Sequence, residues 1–290
     1  MNLIPLAFNT LYQPPQFEDD GFNILASEAW YKAKVSLIQQ YFASFVTHVA
    51  DRVDDIIFLD LFSGNGFFSL GYQREIYANA ALAILGMDLP VKKYIFCERN
   101  VEDLKALKIR VNKFYRSKNV LILGDHPDHL VEKFSYYIPE DKGKYRVAVF
   151  CLVEPFSLDI AYPTLDKMAG RGYTFLIPYL LPLNQNRNVR FYTVEKKEKL
   201  KNFLKIYQED SFPLSASPFH FYKKLVHIHQ NNLLMMGLNS TLLTQKLESV
   251  VMDVPSYYLG LYSSKFSVKA IHREVWGQRQ QQFSLFEGTV

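Results

Sequence analysis

Five short apolar runs constrain this chain more than any other feature. They cover residues 56–62, 94–97, 120–123, 146–153 and 173–178, and stretches with helical spacing separate them. The first stretch runs from Ser27 to Val53, where Trp30, Val35, Ile38, Tyr41, Phe42, Phe45 and Val49 form one apolar stripe. Residues 75–86, 101–115, 129–137 and 163–168 read as the helices that follow, with charges on the outer face of 101–115. Strands alternating with helices at this spacing predict a parallel, doubly wound sheet with helices on both faces. The continuous apolar character of the first, fourth and fifth runs agrees, because a strand buried on both sides has no polar face to alternate with. The chain has 290 residues, 49% of them hydrophobic, which is enough for such a core.

The C-terminal part reads differently. Residues 194–207 predict a lysine-rich helix and 218–236 another. Glu248–Val254 and Tyr257–Tyr262 are rich in strand formers and separated only by Pro255-Ser256, so an antiparallel hairpin is expected at one sheet edge. Residues 265–281 predict a last helix. Residues 1–26, rich in Pro, Asn and Asp, read as an extended arm. The expected organisation is that arm followed by a single domain over 27–290, with a helical insertion around 194–246. No internal repeat is visible.

Composition removes several function classes. Cys97 and Cys151 are the only cysteines, so a Cys-rich metal site with four thiolates is excluded; both lie inside apolar strands, and two core thiols in a reducing compartment are expected. No run of about 18 apolar residues occurs, so no membrane span is expected. No basic segment followed by an apolar one opens the chain, and a cytoplasmic, bacterial-type protein is expected. The net charge of +4 and a pI near 8.8 tolerate nucleic acid as a partner without demanding it. His126, His129, His227 and His229 lack a third ligand at zinc-site spacing, and no metal is expected.

Ligands of open α/β sheets bind outside the carboxyl ends of the strands. Asp60, Glu98 and Asp125 each follow one of the apolar runs, so all three are expected at one crevice. The residue types suit an adenine nucleoside that carries a positive centre. Gly64 and Gly66 let the backbone approach closely. Glu98 suits the ribose hydroxyls, with charge-assisted bonds worth roughly 1.5–3 kcal/mol each. Asp125 suits the adenine amino group, and Asp60 places negative charge near a sulfonium. Phe62, Ser63, Asn65, Arg99 and His126 flank these residues in the same loops and complete the expected set for S-adenosylmethionine. A dinucleotide fingerprint needs a third glycine, which Gly64-Asn65-Gly66-Phe67-Phe68-Ser69 lacks. Turn or cap roles for Asp60, Glu98 and Asp125 remain open alternatives. After the fourth run, Glu154, Pro155 and Phe156 stand where an acceptor would be held, and are the candidate catalytic residues; a structural turn is the alternative.

In order, Phe58-Leu59-Asp60-Leu61-Phe62-Ser63-Gly64-Asn65-Gly66, Tyr94-Ile95-Phe96-Cys97-Glu98, Gly124-Asp125 and Val153-Glu154-Pro155-Phe156 resemble the three-Cys-motif partner family, as does the late Tyr257-Tyr258-Leu259-Gly260-Leu261-Tyr262-Ser263-Ser264-Lys265. The resemblance spans roughly residues 27–280. It implies a Rossmann-like class I methyltransferase fold, S-adenosylmethionine as cofactor, and a protein partner carrying a three-cysteine motif. It supplies no substrate. The chain departs from the family's Asp-Pro-aromatic-Gly after the fourth strand, with Glu154-Pro155-Phe156-Ser157, and from its Gly-Ser-Pro turn, with Arg74-Glu75-Ile76-Tyr77. These departures bear on catalysis more than on cofactor binding. The expected function is an S-adenosylmethionine-dependent methyltransferase acting on nucleic acid. The alternatives are a catalytically altered partner protein that binds another protein or a nucleic acid, and a nicotinamide oxidoreductase.

Overall fold

The computed structural model describes residues 16–142, 144–154, 158–205 and 217–287, the last ten as backbone only. Its centre is β2 (Asp55–Asp60), in which all six residues are buried. β5 (Lys93–Cys97) and β7 (Val147–Leu152) pair with it in parallel, one on each side. β6 (Val120–Leu123) extends the sheet beyond β5, and β8 (Thr174–Pro178) extends it beyond β7. β10 (Ser256–Ser263) runs antiparallel between β8 and β9 (Asn239–Lys246). The order across the seven strands is β6-β5-β2-β7-β8-β10-β9. This is the Rossmann-like, mostly parallel arrangement with an antiparallel C-terminal hairpin that the strand spacing predicts.

Alternate residues of each strand feed two separate cores. Ile57, Leu59, Cys97, Val149 and Cys151 face α6 (Tyr162–Gly170), α7 (Lys197–Leu204) and α8 (Pro218–Met235). Ile56, Phe58, Phe96 and Phe150 face α1 (Ala29–Val49), α2 (Ala80–Leu85), α3 (Val101–Phe114) and α9 (Val268–Glu287). Phe42 of α1 stands edge-on to Phe58 and Phe150, with centroids 4.9 and 5.2 Å apart. Burying such a side chain is worth about 1.5–3 kcal/mol. Both cysteines are buried and free.

Four local expectations change. Residues 75–86 divide into β4 (Glu75–Ala78) and α2, because Asn79 accepts the Leu82 N–H as an N-cap and Ile76 and Tyr77 pair with β3 (Phe67–Leu70). With β1 (Leu25–Ser27), these strands make a second, three-stranded sheet. Residues 129–137 form two short helices, α4 (Pro127–Leu130) and α5 (Phe134–Tyr137). The lysine-rich stretch becomes a π-helical turn at Phe191–Glu195 followed by α7, and residues 206–207 lie outside the described residues. The hairpin partner of β10 is β9, not 248–254. β9 is an edge strand with only Leu243 fully buried, so it carries no apolar run. Ser249 Oγ accepts the N–H groups of Val251 and Met252, which turns 248–254 into a loop.

Charges are expected on the outer face of α3, yet one of its charged side chains, Arg110, has no exposed surface. Its guanidinium donates to both Asp20 carboxylate oxygens (2.7 and 2.8 Å), to the carbonyl and side-chain oxygens of Asn65 (2.8 Å each) and to the Asn23 carbonyl, and it lies 4.2 Å from the centroid of the Phe67 ring. One cation thus fastens residues 20–23 and the turn after β2 to α3. The Arg110 hydrogen bonds hold the Asp20 carboxyl below its usual range against burial. Arg110→Ala should therefore cost about 3 kcal/mol in urea unfolding, because it strands a partly buried carboxylate. Arg110→Lys should recover less than half, since an ammonium lacks the planar fork. A loss below about 1 kcal/mol would show that the turn does not depend on this anchor.

Candidate functional site

The turn after β2 is built by three backbone demands. Asp60 accepts the Phe62 N–H (3.0 Å), the Ser63 N–H reaches the Cys97 carbonyl at the end of β5 (3.0 Å), and Asn79 donates to the Ser63 carbonyl (2.7 Å). Gly64 (φ 60°) and Gly66 (φ 97°) take conformations open to glycine. Their reasons differ. A Cβ on Gly66 would lie 2.7 Å from Leu82, so that glycine lets α2 pack closely, whereas a Cβ on Gly64 would meet only Asn79 at 3.6 Å.

Glu98 closes the turn from the neighbouring strand. One of its oxygens accepts the Gly64 N–H (2.9 Å) and the other the Asn100 N–H (2.7 Å). Each oxygen keeps a lone pair for a further donor. Asp60 is 2% exposed. Burial, with the like charges of Glu154 and Glu98, raises its pKa to about 7, against the opposing Phe62 hydrogen bond and the Lys34 ammonium. Burial also raises Glu98. Asp60, Glu98 and Glu154 therefore share one electrostatic neighbourhood at the carboxyl ends of β2, β5 and β7.

The remaining expected residues are placed as follows. Asp125 is half-buried and accepts its neighbour's N–H at His126 (2.7 Å) and the His129 ring (2.9 Å); the His129 bond holds it below its usual range. His126 caps α4, its Nδ1 accepting the Asp128 N–H and its Nε2 lying 3.0 Å from the Asp159 carbonyl, an acceptor that requires the proton on Nε2. Phe62 meets the His126 ring edge-on, 6.1 Å between centroids, which links the glycine turn to the Asp125 loop. Arg99 pairs with Asp159 (2.6 Å), as does Lys199 of α7 (2.6 Å). Asn65 is buried and engaged by Arg110, and Ser63 is buried beneath the turn. Pro155 and Phe156 lie outside the described residues. His227 and His229 diverge on α8; His229 is buried against Phe203, 4.1 Å between centroids, with burial pushing its pKa down to about 3.

Sequence reasoning missed Lys34 and Tyr31. Lys34 has no exposed surface and ion-pairs with Glu154, whose side chain is 23% exposed. The Lys34 Nζ lies 3.7 Å from the centroid of the Tyr31 ring. Burial lowers the Lys34 pKa against the pull of Glu154 and Asp60. Burial and the charges of Glu154 and Asp60 raise the Tyr31 phenol well above its usual range. The signal was present in the helical stripe: Lys34 stands four residues after Trp30 and four before Ile38, a buried position on α1. The start of α1 is held over the strand ends by Glu28, which accepts from Trp30, Ser249 and the Val250 N–H. Among the described residues, no group of three His, Cys, Asp or Glu is placed to hold a metal ion, and no helix is long and apolar enough to cross a membrane.

No protein-family model matches the sequence, and no curated protein matches it. Solved structures are similar at low identity. The methyltransferase domain of bacterial CtHen1 is 12% identical over 78% of this chain and 99% of its own, with a TM-score of 0.39. Trm1 from Pyrococcus horikoshii, in complex with S-adenosyl-L-methionine, is 11% identical over 90% of this chain and 64% of its own, with a TM-score of 0.46. SMU.1697c from Streptococcus mutans, in complex with SAH, is 13% identical over 80% and 96%, with a TM-score of 0.38. All three lie below a TM-score of 0.5, so the fold assignment rests on the strand order of this chain.

A carboxyl whose pKa is raised on folding binds its proton more tightly in the native state, so native stability falls as pH rises from about 4 towards 7. Asp60→Asn removes that penalty. Its gain in stability over the parent should be small at pH 4, grow through pH 7 and level off at on the order of 2–4 kcal/mol. A gain that does not change with pH would show that Asp60 is not protonated in the native protein.

Proposed function

We propose that this protein is an S-adenosylmethionine-dependent methyltransferase. The observation that carries the reading is the charge balance at the strand ends. Asp60 and Glu154 stand by the Lys34 ammonium, Glu98 adds a third carboxyl beside Asp60, and Asp60, the most buried of the three, is raised to about 7 by burial and by its acidic neighbours. A cationic ligand relieves that repulsion; a diphosphate aggravates it. The donor set fits the cofactor: Glu98 keeps lone pairs for two ribose hydroxyls, Gly64 offers open backbone beside it, and Asp60 supplies negative charge deeper in the crevice. Bound there, the cofactor supplies an electrophilic methyl on a sulfonium. The chain's own part is to bind, orient and desolvate, which is where much of the rate of an in-line displacement comes from.

A nucleic acid is the acceptor class best matched by charge. Between Arg187 and Met235 the sequence has nine Lys or Arg against four Asp or Glu, while outside this segment the two signs nearly cancel. Lys199 anchors this layer to Asp159 in the loop after β7, beside Glu154. The competing reading is a non-catalytic partner protein, including one that binds a three-Cys-motif protein. It is favoured by the Lys34 ion pair, which already engages one edge of Glu154. Turnover of methyl-labelled cofactor with bulk RNA or DNA would remove it.

Calorimetry tests the central reading. S-adenosylmethionine affinity should rise about three- to tenfold from pH 6 to 8, because the cation binds best when Asp60 has lost its proton, and binding near pH 7 should release protons to the buffer. S-adenosylhomocysteine, whose sulfur is neutral, should show a weaker dependence. Glu98→Ala should weaken both ligands by roughly tenfold or more. No binding at millimolar ligand would remove the proposal.

A further inference from the structure

Among the described residues, Lys34 is the one buried cation in this acidic site, and the assigned roles leave it unexplained. It comes from α1, 120 residues before Glu154 in the sequence. A buried ion pair costs desolvation that apolar residues of similar size avoid, so it is weak as a stabilising device. Its position is specific. Lys34 Nζ contacts Glu154 Oε1, with the Tyr31 ring beneath it, while the Glu154 side chain keeps 23% of its surface open. One edge of the carboxylate is thus fixed, and among the described residues no hydrogen bond engages the other.

We propose that Lys34 is a positioning residue: it pins one edge of Glu154 and holds it as an oriented anion, so that the free edge accepts a hydrogen bond from an N–H or O–H group of the methyl acceptor. The inference rests on the methyltransferase reading for the acceptor, but the pairing itself is independent of any ligand. An uncharged partner at Lys34 would leave three neighbouring carboxyls to compete for protons, and a carboxyl that takes one up donates rather than accepts. The long reach of lysine lets a cation carried by α1, a helix on one face of the sheet, meet a carboxylate just beyond the end of β7.

Asp60 is the internal reporter of this arrangement. The groups that face it are Glu154 from β7, Glu98 from β5 and Lys34 and Tyr31 from α1, with the thiols of Cys97 and Cys151 in the strands beside it. Carbon-13 carboxyl titration of the full chain reads its midpoint without cofactor. Lys34→Met should raise the Asp60 midpoint by about one pH unit or more, Glu154→Gln should lower it, and the double variant should return it close to the parent value. Lys34→Arg, which keeps the charge, should stay near the parent. A role confined to packing would leave Lys34→Arg as perturbed as Lys34→Met and would give no cancellation in the double variant, and either result overturns the proposal. If Lys34→Met does not fold, Glu154→Gln alone decides: an Asp60 midpoint that does not fall shows that Glu154 is not an anion beside it. Cofactor calorimetry on the parent separates the two ideas, since absent binding removes the methyltransferase reading and leaves the pairing result standing.

Discussion

Strand β2 is buried from end to end, and its last side chain is the carboxyl of Asp60. An ionised carboxylate in such surroundings is costly unless something opposite compensates. Much of the site follows from that constraint. The Phe62 N–H turns back to meet the carboxyl, which starts the tight turn that Gly64 and Gly66 complete. Lys34 reaches in from α1 with no exposed surface, and Glu154 faces it from the next strand. Burial, with the like charges of Glu154 and Glu98, outweighs these contacts, and Asp60 holds its proton to about pH 7.

The outer parts of the molecule serve to keep this arrangement in place. Arg110 fastens the turn through Asn65 and residues 20–23 through Asp20 and the Asn23 carbonyl. Glu28 fastens the start of α1 to the loop before β10. Asp159 gathers Arg99, Lys199 and His126 behind the loop that follows β7. Burial opposes the ionisation of Asp159, but Lys199 and Arg99 prevail and hold it below its usual range. Several flanking residues expected at the cofactor, Asn65, Arg99 and His126, therefore act as braces for the loops that carry Asp60, Glu98 and Glu154. Brace and ligand roles are not exclusive for Glu98, whose oxygens keep room for further donors.

The parallel sheet was legible because strands buried on both faces leave uninterrupted apolar runs, and the strand-end acids were legible because topology fixes where such positions lie. β9 was not, since an edge strand with one fully buried residue leaves no such run. β4 was not, since Ile76 and Tyr77 sit beside the alanine-rich α2 and blur into one helical window; only Asn79 marks the boundary. Lys34 and Arg110 read as surface charge from residue type alone. Their burial depends on partners 120 and 90 residues away, Glu154 and Asp20, and single-sequence spacing does not report such pairs. The stripe on α1 nevertheless marks the place of Lys34, four residues from the partly buried Trp30 and four from Ile38 in the core.

The central claim is that the strand ends lined by Gly64 and Glu98 hold an adenosyl ligand whose sulfur faces Asp60. A crystal structure of the full chain with S-adenosylhomocysteine tests it most directly. The account predicts ribose hydroxyls within hydrogen-bond distance of Glu98, backbone of Gly64 against the ligand, and the sulfur directed between Asp60 and Glu154. Density for the ligand elsewhere on the chain, or a Glu98 carboxylate that makes no contact with the ribose, would contradict it.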